Sequence, residues 1–193
     1  NALEVSSIHN TLHFPTGIYR LNTPKYANNP NQFWYELLRV GNTDLAGRDL
    51  IITADPGAEL CSTVSTQRTR MLMVEASFRS FHVRGLTWTK GPEPLPPISG
   101  EPNGAEGVWI ANHDFRRVEA VEFADCRFEN CHGAIAAYGV GFDLRGKLAR
   151  FCMRRCWIVN PYGSNTVGGQ NSHGGGQQVR INPWIHYAEY ADC

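Results

Sequence analysis

The chain has 193 residues, enough for one domain, since a chain of this size can bury roughly 70% of its unfolded surface. Its 18 basic and 18 acidic residues cancel to zero formal charge, so the broad attraction behind nonspecific nucleic-acid binding is missing and nucleic acid is not an expected partner. No run approaches the roughly 20 apolar residues of a membrane span, and residues 1–20 lack the basic-then-apolar layout of a signal peptide.

The chain opens at Asn1 without an initiator methionine, so it is expected to be processed or excised, and localisation is not read from this end. Taken in order, HFPTGIYRL (13–21) reads as strand, turn and strand. FWYELLRV (33–40) has the best helical periodicity in the chain, yet it is short enough for a strand or a capping turn. LIITA (50–54), FHVRGLTW (81–88), GVWIA (107–111) and WIHYAEY (184–190) are short β-rich runs. The 19 glycines and 11 prolines spread among them punctuate many short strands, the pattern of a sandwich, a barrel or a solenoid.

Internal similarity selects the solenoid. VEFADC (121–126) returns as AEYADC (188–193), 67 residues later. Between them, ARFCMRRCWI (149–158) offers Phe151 at the aromatic position and Cys156 at the cysteine position if two residues are inserted. Upstream, FHVRGLTW sets Val83 opposite Phe123, Leu86 opposite Cys126 and Trp88 opposite Phe128. A solenoid buries like on like, coil after coil, whereas a sandwich has no reason to bring the same register back. Two columns are therefore expected: Phe123, Phe151 and Tyr190 as one buried aromatic stack, and Leu86, Cys126, Cys156 and Cys193 as another. Within a repeat the inward phase slips at Ala124-Asp125, which predicts a bend between two strands. The fold class is thus all-β, a solenoid of stacked coils in a single domain over 1–193.

The six cysteines are too sparse for a disulfide scaffold, and the C-x4-C and C-x3-C spacings of Cys126, Cys131, Cys152 and Cys156 do not match zinc pairs. A buried stack continuing from Leu86 accounts for them, with no metal site.

HFPTGIYRL, FHVRGLTW and VEFADCRFENC (121–131) resemble the opening and later coils of the right-handed parallel β-helix in the pectin-lyase-like superfamily. The resemblance runs from about residue 11 to the end and rests on structural motifs. It implies a carbohydrate-active enzyme, a glycoside hydrolase or polysaccharide lyase, secreted or at the cell surface, with a polysaccharide or oligosaccharide partner. The other class it admits is a non-catalytic glycan-binding β-helix, such as an adhesin or a phage tailspike segment. No cofactor is named by the sequence. Residues 91–107 and 160–177 are the two long loops that would wall a groove, the first stiffened by proline and the second loosened by glycine.

GVWIANHD (107–114), GAIAAYG (133–139) and QVRINPW (178–184) read as equivalent strands. Stacking would gather a catalytic set of His113, Asp114, Tyr138 and Arg180, with Asn112, Asn182, Trp184 and His173 as substrate-binding residues. Histidine or tyrosine moves a proton, arginine holds a carboxylate, and tryptophan stacks on a sugar face. Asp114 and Asp143 are the candidate carboxylate pair for hydrolysis. NSHGGGQQVRI (171–181) is similar to the Gly-His-Gly and Arg-Ile-Lys elements of polygalacturonases but departs from them: Ser172 replaces a glycine, Asn182 stands where lysine should be, and no Asp-Asp pair precedes it. With lysines only at 25, 90 and 147, the basic and calcium-binding clusters of pectate lyases are not apparent. AEYADC stops at its cysteine where VEFADC continues into RFENC, so further C-terminal coils are expected and the open edge is expected to associate.

Overall fold

The structure, a computed structural model, describes residues 11–22, 34–63, 68–90, 105–112, 118–131, 133–139, 149–159, 179–181 and 187–193. All regular structure among them is strand. The strands in chain order are β1 (Thr11–Phe14), β2 (Gly17–Leu21), β3 (Trp34–Ala54), β4 (Ala58–Ser62), β5 (Arg68–Arg84), β6 (Thr87–Lys90) and β7 (Ala105–Asn112). They continue as β8 (Val118–Ala124), β9 (Arg127–Glu129), β10 (Gly133–Gly139), β11 (Arg150–Arg154), β12 (Trp157–Val159), β13 (Val179–Ile181) and β14 (Tyr187–Ala191). Residues 34–40 of FWYELLRV belong to β3 and form no helix; the strand pairs in parallel with β5, and Leu37 and Val40 are buried.

The strands form two parallel sheets, one of nine strands and one of five. The larger has two wings joined through β5, whose Thr69–Val74 stretch pairs with β7 and whose Phe78–Arg84 stretch pairs with β8. One wing runs on from β7 to β10 to β13, and the other from β8 to β11 to β14. The smaller sheet runs β2, β4, β6, β9, β12. Strand pairing therefore recurs in the same order repeat after repeat, at about 4.8 Å per strand.

Alternation decides which side chains enter the core between the sheets. Leu50, Phe81, Val121 and Phe151 share one register position, and Ile52, Val83, Phe123 and Met153 share the next inward one; all eight are at most 1% exposed. From the smaller sheet, Leu60, Trp88 and Phe128 close against them, the Trp88 and Phe128 rings stacked at 6.1 Å between centroids. The expected pairs Val83–Phe123 and Trp88–Phe128 are thus present.

The aromatic column needs correction. Phe151 lies beside Val121 and Ala188, while Met153 lies between Phe123 and Tyr190, so no two-residue insertion separates the repeats. A flexible methionine fills the place an aromatic was expected to hold. The rings still touch diagonally, with centroids 6.4 Å apart for Phe123 and Phe151 and 5.9 Å apart for Phe151 and Tyr190. Tyr190 is 52% exposed and not buried, because β14 has no further strand beside it among the described residues.

The cysteine column stands. Cys126, Cys156 and Cys193 each direct Sγ at the carbonyl of the preceding repeat, that of Val83, Phe123 and Met153 respectively, at 3.5–3.6 Å. Cys126, Cys131 and Cys156 are buried, Cys193 is exposed, and all six cysteines are free thiols. Burial pushes the Cys131 thiol up to about 12, which keeps it neutral. Cys152 is not part of this column: it sits on the opposite alternation, beside Glu122 and Glu189.

The bend falls where the phase slips. Gly85, Asp125, Arg155 and Asp192 all have positive φ, between 48° and 78°, and the amides of the first three donate to Ala124, Arg154 and Ala191 of the next repeat. Arg155 grips Asp125 with both nitrogens, Nε to Oδ1 at 2.6 Å and Nη2 to Oδ2 at 2.9 Å, while Arg84 lies 3.5 Å from the same carboxylate on the other side. Only at Gly85 is a side chain doubly opposed: φ is +78°, and a Cβ there would sit 2.9 Å from the Ala54 carbonyl oxygen. Gly85→Ala is expected to cost roughly 1–3 kcal/mol, read as a lower urea midpoint at unchanged slope. A neutral result would mean that the turn is not held in this conformation.

Candidate functional site on the outer face

The same alternation that fills the core turns a row of polar residues outward. Ile51, His82, Glu122, Cys152 and Glu189 share one outward register position, flanked by Asp49, Ser80, Ala120, Arg150 and Tyr187 on one side. Two connected groups result.

The first centres on Asp49. It accepts from Arg79 through both carboxylate oxygens, Nε lying 2.9 Å from Oδ1, and Ser80 Oγ donates to Oδ1 at 2.5 Å. These bonds, Arg79's first, hold the Asp49 carboxyl down at about 2. Ser80 Oγ is also 2.9 Å from His82 Nε2, and His82 Nδ1 is 3.6 Å from Glu122 Oε2.

The second centres on Glu189. Its Oε2 accepts from Arg154 Nη2 at 3.1 Å, from the Tyr187 hydroxyl at 3.0 Å and from Cys152 Sγ at 3.7 Å. Arg154 and then Tyr187 draw its carboxyl below the usual range, and Glu189 in return raises the Tyr187 phenol. Arg150 donates from Nε to Cys152 Sγ at 3.1 Å and lays its guanidinium over the Tyr187 ring at 5.8 Å. Tyr187 is 51% exposed, so this cluster is open to a ligand.

Asp49, Asp125 and Glu189 all sit below their ordinary range, so the folded state binds fewer protons than the unfolded chain as the solution is acidified. The stabilisation is complete above the ordinary carboxylate range and drains away as the pH falls through it, for Asp49 towards about 2. Urea midpoints between pH 5 and 2.5 are expected to drop, and Asp49→Asn to flatten part of that slope. An unchanged slope in the variant would remove Asp49 from the linkage.

Of the residues expected from sequence, the backbone register brings together those that fall in described strands. Gly139 pairs with Asn112, Tyr138 with Ala111, and Arg180 with Ala136 on the next strand, so the described parts of the three segments, 107–112, 133–139 and 179–181, stack as expected. His113, Asp114, Asp143, His173, Asn182, Trp184, residues 91–104 and residues 160–177 lie outside the described residues. The sequence reading missed Asp49, Ser80, His82, Arg150, Tyr187 and Glu189. A signal for the last was present, since Glu122 and Glu189 are the shared glutamates of VEFADC and AEYADC. No helix among the described residues is long and apolar enough to cross a membrane. Comparison with family models, curated proteins and solved structures finds no match to this chain.

Proposed function

We propose that the chain is a right-handed parallel β-helix of the pectin-lyase-like kind and that its outer face binds and cleaves a polysaccharide, in a secreted or cell-surface setting. Support for the fold comes from parallel pairing that repeats in one order and from the stacked cysteine column. The observation that carries the function is the Tyr187–Glu189 couple beneath Arg150. The glutamate bonded to the phenol aims its oxygen at an anomeric carbon and takes the proton only as the new C–O bond forms, when the phenol turns strongly acidic, one of the known departures from the two-carboxylate scheme. Arg150 then faces an acidic or hydroxyl-rich sugar, and Tyr187 also offers a stacking surface. Proton delivery to the leaving oxygen is the role left to His113 or Asp114, and Tyr138, Arg180, Asn112, Asn182, Trp184 and His173 are proposed as further substrate contacts.

The test is a polysaccharide panel assayed for new reducing ends and, in parallel, for the absorbance of unsaturated products. Reducing ends without unsaturation are expected. Unsaturated products would make the protein a lyase, and retained glycan binding without either product would make it an adhesin or tailspike-like binder.

A further inference from the structure

The first polar group on the outer face holds chemistry that cleavage of a glycosidic bond leaves unused. In the run Ser80-Phe81-His82, alternation buries Phe81 and sets serine and histidine on one side of β5, while parallel pairing puts Glu122 beside His82. The order of contacts is hydroxyl, imidazole, carboxylate: Ser80 Oγ to His82 Nε2 at 2.9 Å, and His82 Nδ1 to Glu122 Oε2 at 3.6 Å. That order places an imidazole to take a hydroxyl proton with a carboxylate in ion-pairing range on its far side, and the same order recurs on unrelated folds.

Two acceptors compete for the Ser80 proton. Asp49 is close, but with Arg79 on both its oxygens it is a very weak base, held at about 2. It therefore aims the hydroxyl without deprotonating it, and the imidazole nitrogen 2.9 Å away is the group placed to receive the proton. Ser80 keeps only 7% exposure, a restriction that favours a small acyl group over a bulky one.

We propose that Ser80, His82 and Glu122 form a nucleophilic relay that hydrolyses short-chain esters, the class represented by O-acetyl groups. Ser80 Oγ bonds to the acyl carbon as its proton passes to His82 Nε2. Collapse breaks the bond to the alcohol oxygen, which leaves with that proton. Water then attacks the acyl-serine, gives a proton to His82, and releases the carboxylic acid as Ser80 is restored with that proton. Glu122 faces the Nδ1 side of the imidazole throughout. This activity is independent of glycan cleavage, and its assay contains no glycan.

The experiment uses the full 193-residue chain, 4-nitrophenyl acetate as substrate and methanesulfonyl fluoride, a serine-reactive reagent about the size of an acetyl group, as covalent probe. Hydrolysis above the buffer rate is expected, with a single probe adduct located by mass spectrometry on Ser80. Ser80→Ala should lose the adduct and at least about 100-fold in rate, and His82→Ala should slow labelling by a similar factor. Mapping the adduct on the native chain keeps the test decisive if either variant folds poorly. No adduct on Ser80, an adduct instead on Thr53, whose hydroxyl lies 2.9 Å from His13 Nδ1, or full hydrolysis by folded Ser80→Ala would overturn the proposal.

Discussion

Phe123→Ala is expected to destabilise the fold by about 3–5 kcal/mol, more than any outward-facing substitution proposed above. Phe123 has no exposed surface, and its ring lies 6.0 Å from Phe81, 5.9 Å from Phe128 and 6.4 Å from Phe151 between centroids. It thus touches the repeats before and after it and the facing sheet at once. Truncation removes apolar burial and leaves a void that no single neighbour can fill, since the surrounding rings are held by their own strands. Phe123→Leu keeps most of the volume and should cost less than about 1.5 kcal/mol. Tyr190→Ala, half-exposed in the same register position, should cost less than Phe123→Ala. Equilibrium urea unfolding compares the three. A Phe123→Ala cost below 1 kcal/mol would mean that the two sheets do not share this core.

Where a repeat is written in the chain, the sequence revealed the architecture. Val83 and Phe123, Leu86 and Cys126, and Trp88 and Phe128 could be matched because alternation around a fixed bend leaves the same spacing in each repeat. In the third repeat Phe151 matches by its ring, while the backbone places Met153 there; apolar packing accepts either, so side-chain type alone does not set the register. The outer-face clusters were harder to read for a different reason. Asp49 meets Ser80 across 31 residues, just after register shifts in the β3–β5 pairing between Gly41 and Asp44 and between Leu45 and Asp49. A local pattern carries no trace of such an irregularity, and a one-residue error would turn Asp49 away from Ser80. Glu189 was within reach, since it repeats Glu122, but its meaning depends on Arg154 and Tyr187 converging on one oxygen.

If the outer face cleaves polysaccharide as proposed, Tyr187→Phe should reduce turnover by about 10²–10⁴-fold with little change in glycan affinity. The substitution deletes one oxygen, the proposed nucleophile, and keeps the ring over which Arg150 lies. Ground-state contacts through ring and guanidinium therefore persist, while the step that forms the covalent intermediate loses its attacking atom. Stability should shift by no more than about 0.5 kcal/mol, because Tyr187 is 51% exposed and Glu189 retains its bond from Arg154. Glu189→Gln provides the complementary comparison. It removes the acceptor for the phenolic proton and leaves Arg154 facing a neutral amide, so turnover should fall while Tyr187 remains in place. Steady-state kinetics on the polysaccharide found active in the panel, with binding measured separately by calorimetry, distinguishes the outcomes. Full turnover by Tyr187→Phe would remove the nucleophile role and reduce the ring to a stacking surface, and loss of binding without loss of turnover at saturation would do the same.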